Sequence, residues 1–243
     1  MNCALFGRLA VFLGLIGAAA ATAQSPTIAP AEYAVTQQRT RLFGPTRPRL
    51  APVPLDILPA SFREPIAKIV RDPTLAAHGS AEEFPAGPYD WLLEHPDRVA
   101  TAWRRLGIPC VAILPKGDGR FTWVDADGSN VSWVTAYRGQ DMHIWYADGQ
   151  AKPATTLPLI PVRAVAVLRH AHRADESGQI LVKHEVDVYL QTDSKAAALV
   201  SRLIGPAAPR MAEQGATQLL LFFSSLAKYL DERPDQVPTL LRR

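Results

Sequence analysis

Cysteine is scarce in this chain of 243 residues, which holds only Cys3 and Cys110. With Cys3 in a cleaved leader, argued below, Cys110 stands alone, no intrachain disulfide forms, and stability has to come from packing. Charge bias is missing as well: 26 Lys and Arg face 23 Asp and Glu. That near balance speaks against nucleic acid as a partner, because phosphate binding needs a strongly basic face. No apolar run reaches the roughly 20 residues that span a bilayer, so no transmembrane segment is expected after leader cleavage. The chain also lacks G-x-S-x-G, H-E-x-x-H, a phosphate-binding glycine loop and spaced cysteine pairs. No cofactor is expected, and no catalytic residue can be named from local motifs.

What is present begins at the N-terminus. Arg8, the apolar stretch Leu9 to Ile16 and the small residues Ala21-Thr22-Ala23 have the order of a cleaved export signal over residues 1–23. The protein is therefore expected outside the cytoplasm, periplasmic or secreted. Residues 24–65 carry Pro26, Pro30, Pro45, Pro48, Pro52, Pro54, Pro59 and Pro65. Proline at that density removes backbone donors and favours extended conformers, so a mostly disordered arm is expected. Its Arg39, Arg41, Arg47 and Arg49 suit either contact with an anionic envelope surface or a solvated tether.

Folded structure is expected over residues 66–232, with a flexible tail at 233–243. In YDWLLEHPDRVATAWRRLG, the spacing of Tyr89, Leu92 and Leu93, then of Val99, Ala102, Trp103 and Leu106, predicts two short helices divided at Pro96. Asp97 is a candidate cap for the second and Gly107 its stop. After Gly107 the apolar period changes to two. The runs Cys110 to Leu114, Arg120 to Asp125, Asn130 to Arg138, Met142 to Asp148, Arg163 to His170 and Ile180 to Leu190, joined by Gly and Asp turns, predict an antiparallel meander. Ser194 to Leu230 reads as a long helix kinked or split at Gly205, Pro206 and Pro209.

This order of elements resembles the helix-grip superfamily of START-like, lipid-transfer and polyketide-cyclase-like proteins. The likeness lies in element order and in the position of YDWLLEHP. It implies an α+β fold in which a curved antiparallel sheet of about six or seven strands, with two short helices, grips a long C-terminal helix. An apolar cavity between sheet and helix would hold a lipid or another hydrophobic small molecule.

Candidate site residues follow from strand alternation. If Arg173 opposes Ile180, then Val167 faces Val186 and Arg169 faces His184, and Val165, Val167, Val182, Val186, Val188 and Leu190 form one apolar face. Arg169 and His184 then share the inward face, as a polar ligand contact or as rim residues covering apolar atoms with their stems. Phe121 with Trp123, Trp133 with Tyr137, and Met142 with Ile144 and Tyr146 group by alternation. Such aromatics, Trp123, Trp133 and Tyr146 among them, line a ligand cavity or fill a solid core. His170 and His172 have the strand spacing of metal ligands, but RHAHRADESG reads as an exposed hairpin end without a third ligand, so no metal is expected. Asp125 to Asn130 reads as a turn, since its glycine is misplaced for a calcium loop.

The leading functional expectation is an exported protein that binds an apolar or amphipathic small molecule. The alternatives are a non-enzymatic envelope scaffold with a filled core, and a cyclase- or hydrolase-like enzyme using Arg169 and His184.

Overall fold

The computed structural model describes residues 50–152, 158–193, 198 and 207–242. The leader, the arginine cluster of the arm, and the predicted break at Gly205 and Pro206 lie outside them. The class is α+β. In chain order the elements are α1 (Ala60–Arg71), β1 (Leu75–Ser80), β2 (Phe84–Pro85), α2 (Tyr89–Glu94), α3 (Pro96–Arg105), β3 (Ile113–Gly117), β4 (Arg120–Val124), β5 (Asn130–Arg138), β6 (Met142–Ala151), β7 (Ile160–Ala174), β8 (Ile180–Thr192), α4 (Ala208–Glu232) and α5 (Val237–Leu241). One antiparallel sheet runs in the order β1-β8-β7-β6-β5-β4-β3, with β2 also pairing β8.

The two short helices form where expected. Tyr89, Leu92 and Leu93 are buried on α2, Val99, Ala102 and Trp103 on α3, and Gly107 ends α3 with φ +75°. Asp97 is not the cap, because α3 begins one residue earlier at Pro96, a first-turn position where a missing N–H is tolerated. Pro209 similarly occupies the first turn of α4 and does not split it.

Helix α1 crosses the expected boundary between arm and domain at residues 65 and 66. Pro65 lies inside it, yet Phe62, Ile66, Ile69 and Val70 repeat at helical spacing and face the sheet, with Ile66 and Ile69 fully buried. Burial of that stripe outweighs the hydrogen bond that Pro65 removes. The chain before α1 is docked too. Leu58 is buried, the amide of Ala51 donates to Asp187 Oδ2 at 3.3 Å, and Arg169 Nη2 donates to the Pro52 carbonyl at 3.3 Å. The expected arm of residues 24–65 is therefore packed structure from residue 50 onward. Residues 233–242 of the expected tail are packed too: Leu240 is buried, and Arg105 Nη1 donates to the carbonyls of Thr239 at 2.7 Å and Leu240 at 2.9 Å, closing the end of α5.

The register of the β7–β8 hairpin differs by one residue from the expected one. Ala174 opposes Ile180, so Leu168 faces Val186, Arg169 faces Glu185 and His170 faces His184. Turn geometry sets this pairing. The Asp175 amide donates to the Gln179 carbonyl at 2.9 Å, and Gly178 takes φ +82°, closing a three-residue loop with glycine in its left-handed position. Asp175 Oδ1 also accepts the amides of Ser177 and Gln179. This one-residue slip puts Asp187 opposite Val167 and so buries its carboxylate. Asp187 is 1% exposed and receives Arg169 Nη1 at 2.7 Å and His78 Nδ1 at 2.8 Å.

Both sheet faces are covered, which makes three layers. On one side lie Leu58 and α1 against Val165, Val167, Ile144 and Tyr189. On the other lie α2, α3, α4 and α5 against Trp145, Ala166, Leu168, Val182, Val186 and Val188. Helix α4 approaches β1 closely enough that a Cβ on Gly79 would stand 2.8 Å from the backbone of Ala216 and Thr217.

Candidate functional site

Between the sheet and α4 lies an apolar cavity of about 130 Å³, open on one side. Its sheet wall is built from Trp123, Trp133, Trp145, Ala147, Ala164 and Ala166, and its helix wall from Leu219, Phe222 and Phe223. The room comes from side-chain size. Ala147, Ala164 and Ala166 present methyl groups where larger residues would close the space, while the tryptophans stand at its margins. On α4, Leu219, Phe222 and Phe223 fall at spacings of three and four and so point the same way. Trp145 and Phe223 are stacked with ring centroids 6.1 Å apart. Cys110 also lines the wall, and burial pushes its thiol up to about 11. It acts as a packing residue, since burial disfavours its thiolate.

Beyond Trp145 the same sheet face carries histidines. His143 lies 5.9 Å from the Trp145 ring and 5.6 Å from the His170 ring. His170 is 5.4 Å from His172 on the next inward position of β7. Across the hairpin, His184 Nδ1 and the Tyr89 hydroxyl are 2.7 Å apart, which joins β8 to α2. Both ring nitrogens of His143 and of His170, and Nε2 of His184, are buried without a hydrogen-bond partner among the described residues. Burial is the main cause that lowers the pKa of His143 and of His184 to about 4, and it lowers that of His170, against which Asp90 acts. Burial thus favours the neutral form of each imidazole. The side chain of Asp90, from the first turn of α2, reaches this edge: Oδ2 lies 3.3 Å from His172 Nε2 and Oδ1 3.9 Å from His170 Nδ1.

The residues singled out from the sequence are distributed over both faces. Trp123 and Trp133 line the cavity, and Val186 lies in the same apolar layer without lining it. Tyr146 and Val167 are on the opposite face, under α1. Arg169 and His184 do not meet: Arg169 binds Asp187 on the α1 side, while His184 binds Tyr89 on the α4 side. The proposed apolar face of Val165, Val167, Val182, Val186, Val188 and Leu190 is split in the same way by the true register. Trp133 and Tyr137 are separated by a bulge between Thr135 and Tyr137, whereas Met142, Ile144 and Tyr146 do share a face. His170 is buried, not part of an exposed hairpin end, because β7 runs on to Ala174.

Trp145, Phe222, Phe223, His143 and Asp90 were not anticipated at the site. One signal for Trp145 was available: AVAVL in β7 is apolar at consecutive positions, the pattern of a strand covered on both faces. Such cover gives the odd positions of β6 a buried role equal to that of Tyr146.

No family model matches the chain, and no curated protein matches it. Among solved structures, a conserved protein from Geobacillus kaustophilus has a TM-score of 0.37 at 14% identity, covering 65% of this chain and 96% of that one. A solution NMR structure from Thermobifida fusca has a TM-score of 0.31 at 14% identity, covering 64% and 95%.

Proposed function

We propose that this is an exported protein that binds an apolar small molecule, or the apolar part of an amphipathic one, between its sheet and α4, in an arrangement of the helix-grip kind. The observation that carries the proposal is the cavity of about 130 Å³ walled by Trp123, Trp133, Trp145, Phe222 and Phe223. A dry cavity of about 150 Å³ accommodates benzene, so the volume suits one ring or a short alkyl segment, with the open side leaving a path for a longer chain. Export rests on the composition of residues 1–23. The cyclase- or hydrolase-like alternative loses its stated basis, since Arg169 and His184 face opposite sides of the sheet.

Three of the five tryptophans line the cavity, so intrinsic fluorescence reports on it directly. Titration with a series of alkylbenzenes and medium-chain fatty acids should give a saturable change with at least one of them. Ala147→Leu, which fills the cavity from the sheet side, should abolish that change and leave the thermal melt nearly unaltered. A linear, unsaturable response that is the same in Ala147→Leu would refute the reading.

A further inference from the structure

We propose that Asp90, His170 and His172 form a binding site for a divalent transition-metal ion, of the class to which zinc belongs. The three side chains come from two elements, and one ligand atom from each lies within 4.8 Å of the others. On β7 the two histidines are two residues apart and therefore share a face, while α2 brings Asp90 over them from its first turn. Asp90 Oδ2 stands 3.3 Å from His172 Nε2 and Asp90 Oδ1 3.9 Å from His170 Nδ1, so each oxygen faces one imidazole, and a tetrahedral ion with bonds of about 2.0 Å needs the donors to draw in to about 3.3 Å from one another. Asp90 is well exposed and can rotate to close the remaining gap.

An independent observation comes from His170. It is 5% exposed and neither ring nitrogen has a hydrogen-bond partner among the described residues, Asp90 standing beyond hydrogen-bond reach at 3.9 Å. A buried imidazole left so is costly to keep, and a metal ion at the edge shared with Asp90 and His172 satisfies one nitrogen. The His170 amide donates to the Asp141 carbonyl at 2.9 Å, which fixes the backbone beneath it. Two imidazoles and one carboxylate suit zinc, cobalt or nickel better than magnesium or calcium, which favour oxygen ligands. Three protein ligands leave a fourth position open to water or to a polar ligand group.

The other close histidine and carboxylate, His78 and Asp187, do not make an equivalent site, because the Arg169 guanidinium already occupies Asp187 Oδ2. The proposal stands apart from the apolar-ligand reading: the trio and the cavity are separated by His143 and Trp145.

The test uses tag-free protein freed of metal by chelator. Zinc is titrated by calorimetry and cobalt by its visible absorption, in the native chain and in Asp90→Asn, His172→Ala and His78→Ala. Asp90 and His172 are at the surface or partly so, and thermal melts in chelator check that each variant is folded. One equivalent should bind, with intense d–d bands for cobalt. Affinity should fall at least about tenfold in Asp90→Asn and in His172→Ala and stay unchanged in His78→Ala. Absence of saturable binding, or equal affinity in all four proteins, would overturn the proposal.

Discussion

The two faces of this sheet are made by alternate residues of the same strands, yet they treat buried polar groups in opposite ways. Under α1, Asp187 is sealed from water with a full set of donors: Arg169, His78 and the Ala51 amide. Under α4, His143 and His170 are also sealed, and their ring nitrogens have no hydrogen-bond partners among the described residues. The apolar parts differ in the same sense. Phe62, Ile66 and Ile69 fill the space over Val165 and Val167, whereas three alanines leave a cavity beside Trp145. Among the described residues, the α1 face is packed around a satisfied carboxylate, and the α4 face has room and unmet bonding capacity. That asymmetry is what points to function, since unpartnered buried groups and open apolar space are costly to keep in a purely structural layer.

The largest test of this contrast is acidity. His143 and His184 are held neutral by burial, with pKa lowered to about 4 from the ordinary 6.5. Unfolding raises their affinity for protons, so their contribution is fully present above about pH 6.5 and is lost as pH falls towards 4. A shift of this size corresponds to about 3 kcal/mol for each imidazole. Urea unfolding of metal-free protein at pH 7 and pH 4.5 should show a large loss, and replacing both histidines with Leu should flatten it. A stability independent of pH across that range in the native chain would remove the contrast.

Asp187→Ala probes the opposite face. It strips a paired carboxylate and leaves Arg169 uncompensated, at a cost of about 3 kcal/mol in urea unfolding at pH 7. Gly79→Ala should cost about 2 kcal/mol, because the new methyl group meets the α4 backbone 2.8 Å away and that backbone cannot yield as a side chain would. The smallest effect has the opposite sign. His143→Leu removes a buried group with no hydrogen bond to lose, and should raise stability by about 1 kcal/mol at pH 7. Were His143→Leu as damaging as Asp187→Ala, the two faces would not differ in the way described.

Much of the fold was legible because its signals are local. Gly107, the turn at Asp125 and the alternation in β5 mark ends and strands within a few residues of themselves, and the buried trio Tyr89, Leu92 and Leu93 declares α2. Helix α1 was hidden by Pro65, whose local effect is outweighed by contacts with β7 and β8, distant in sequence. The register was hidden for a related reason. Sequence logic treats Asp187 as solvent-facing, and only the fold reveals that Arg169 and His78 converge on it to make its burial tolerable. Of the site, Trp123 and Trp133 were found by aromatic density. Asp90 was not, because the strand that carries its histidine neighbours lies some eighty residues further along the chain.

The most direct measurement is a crystal structure of the protein pressurised with xenon, which enters apolar cavities without needing a specific chemical partner. The account predicts xenon density between Trp145, Ala147 and Phe223 on the α4 side, and none between α1 and the sheet. Density on the α1 side alone, equal density on both sides, or none on either, would contradict the claim that one face is a filled core and the other a binding site.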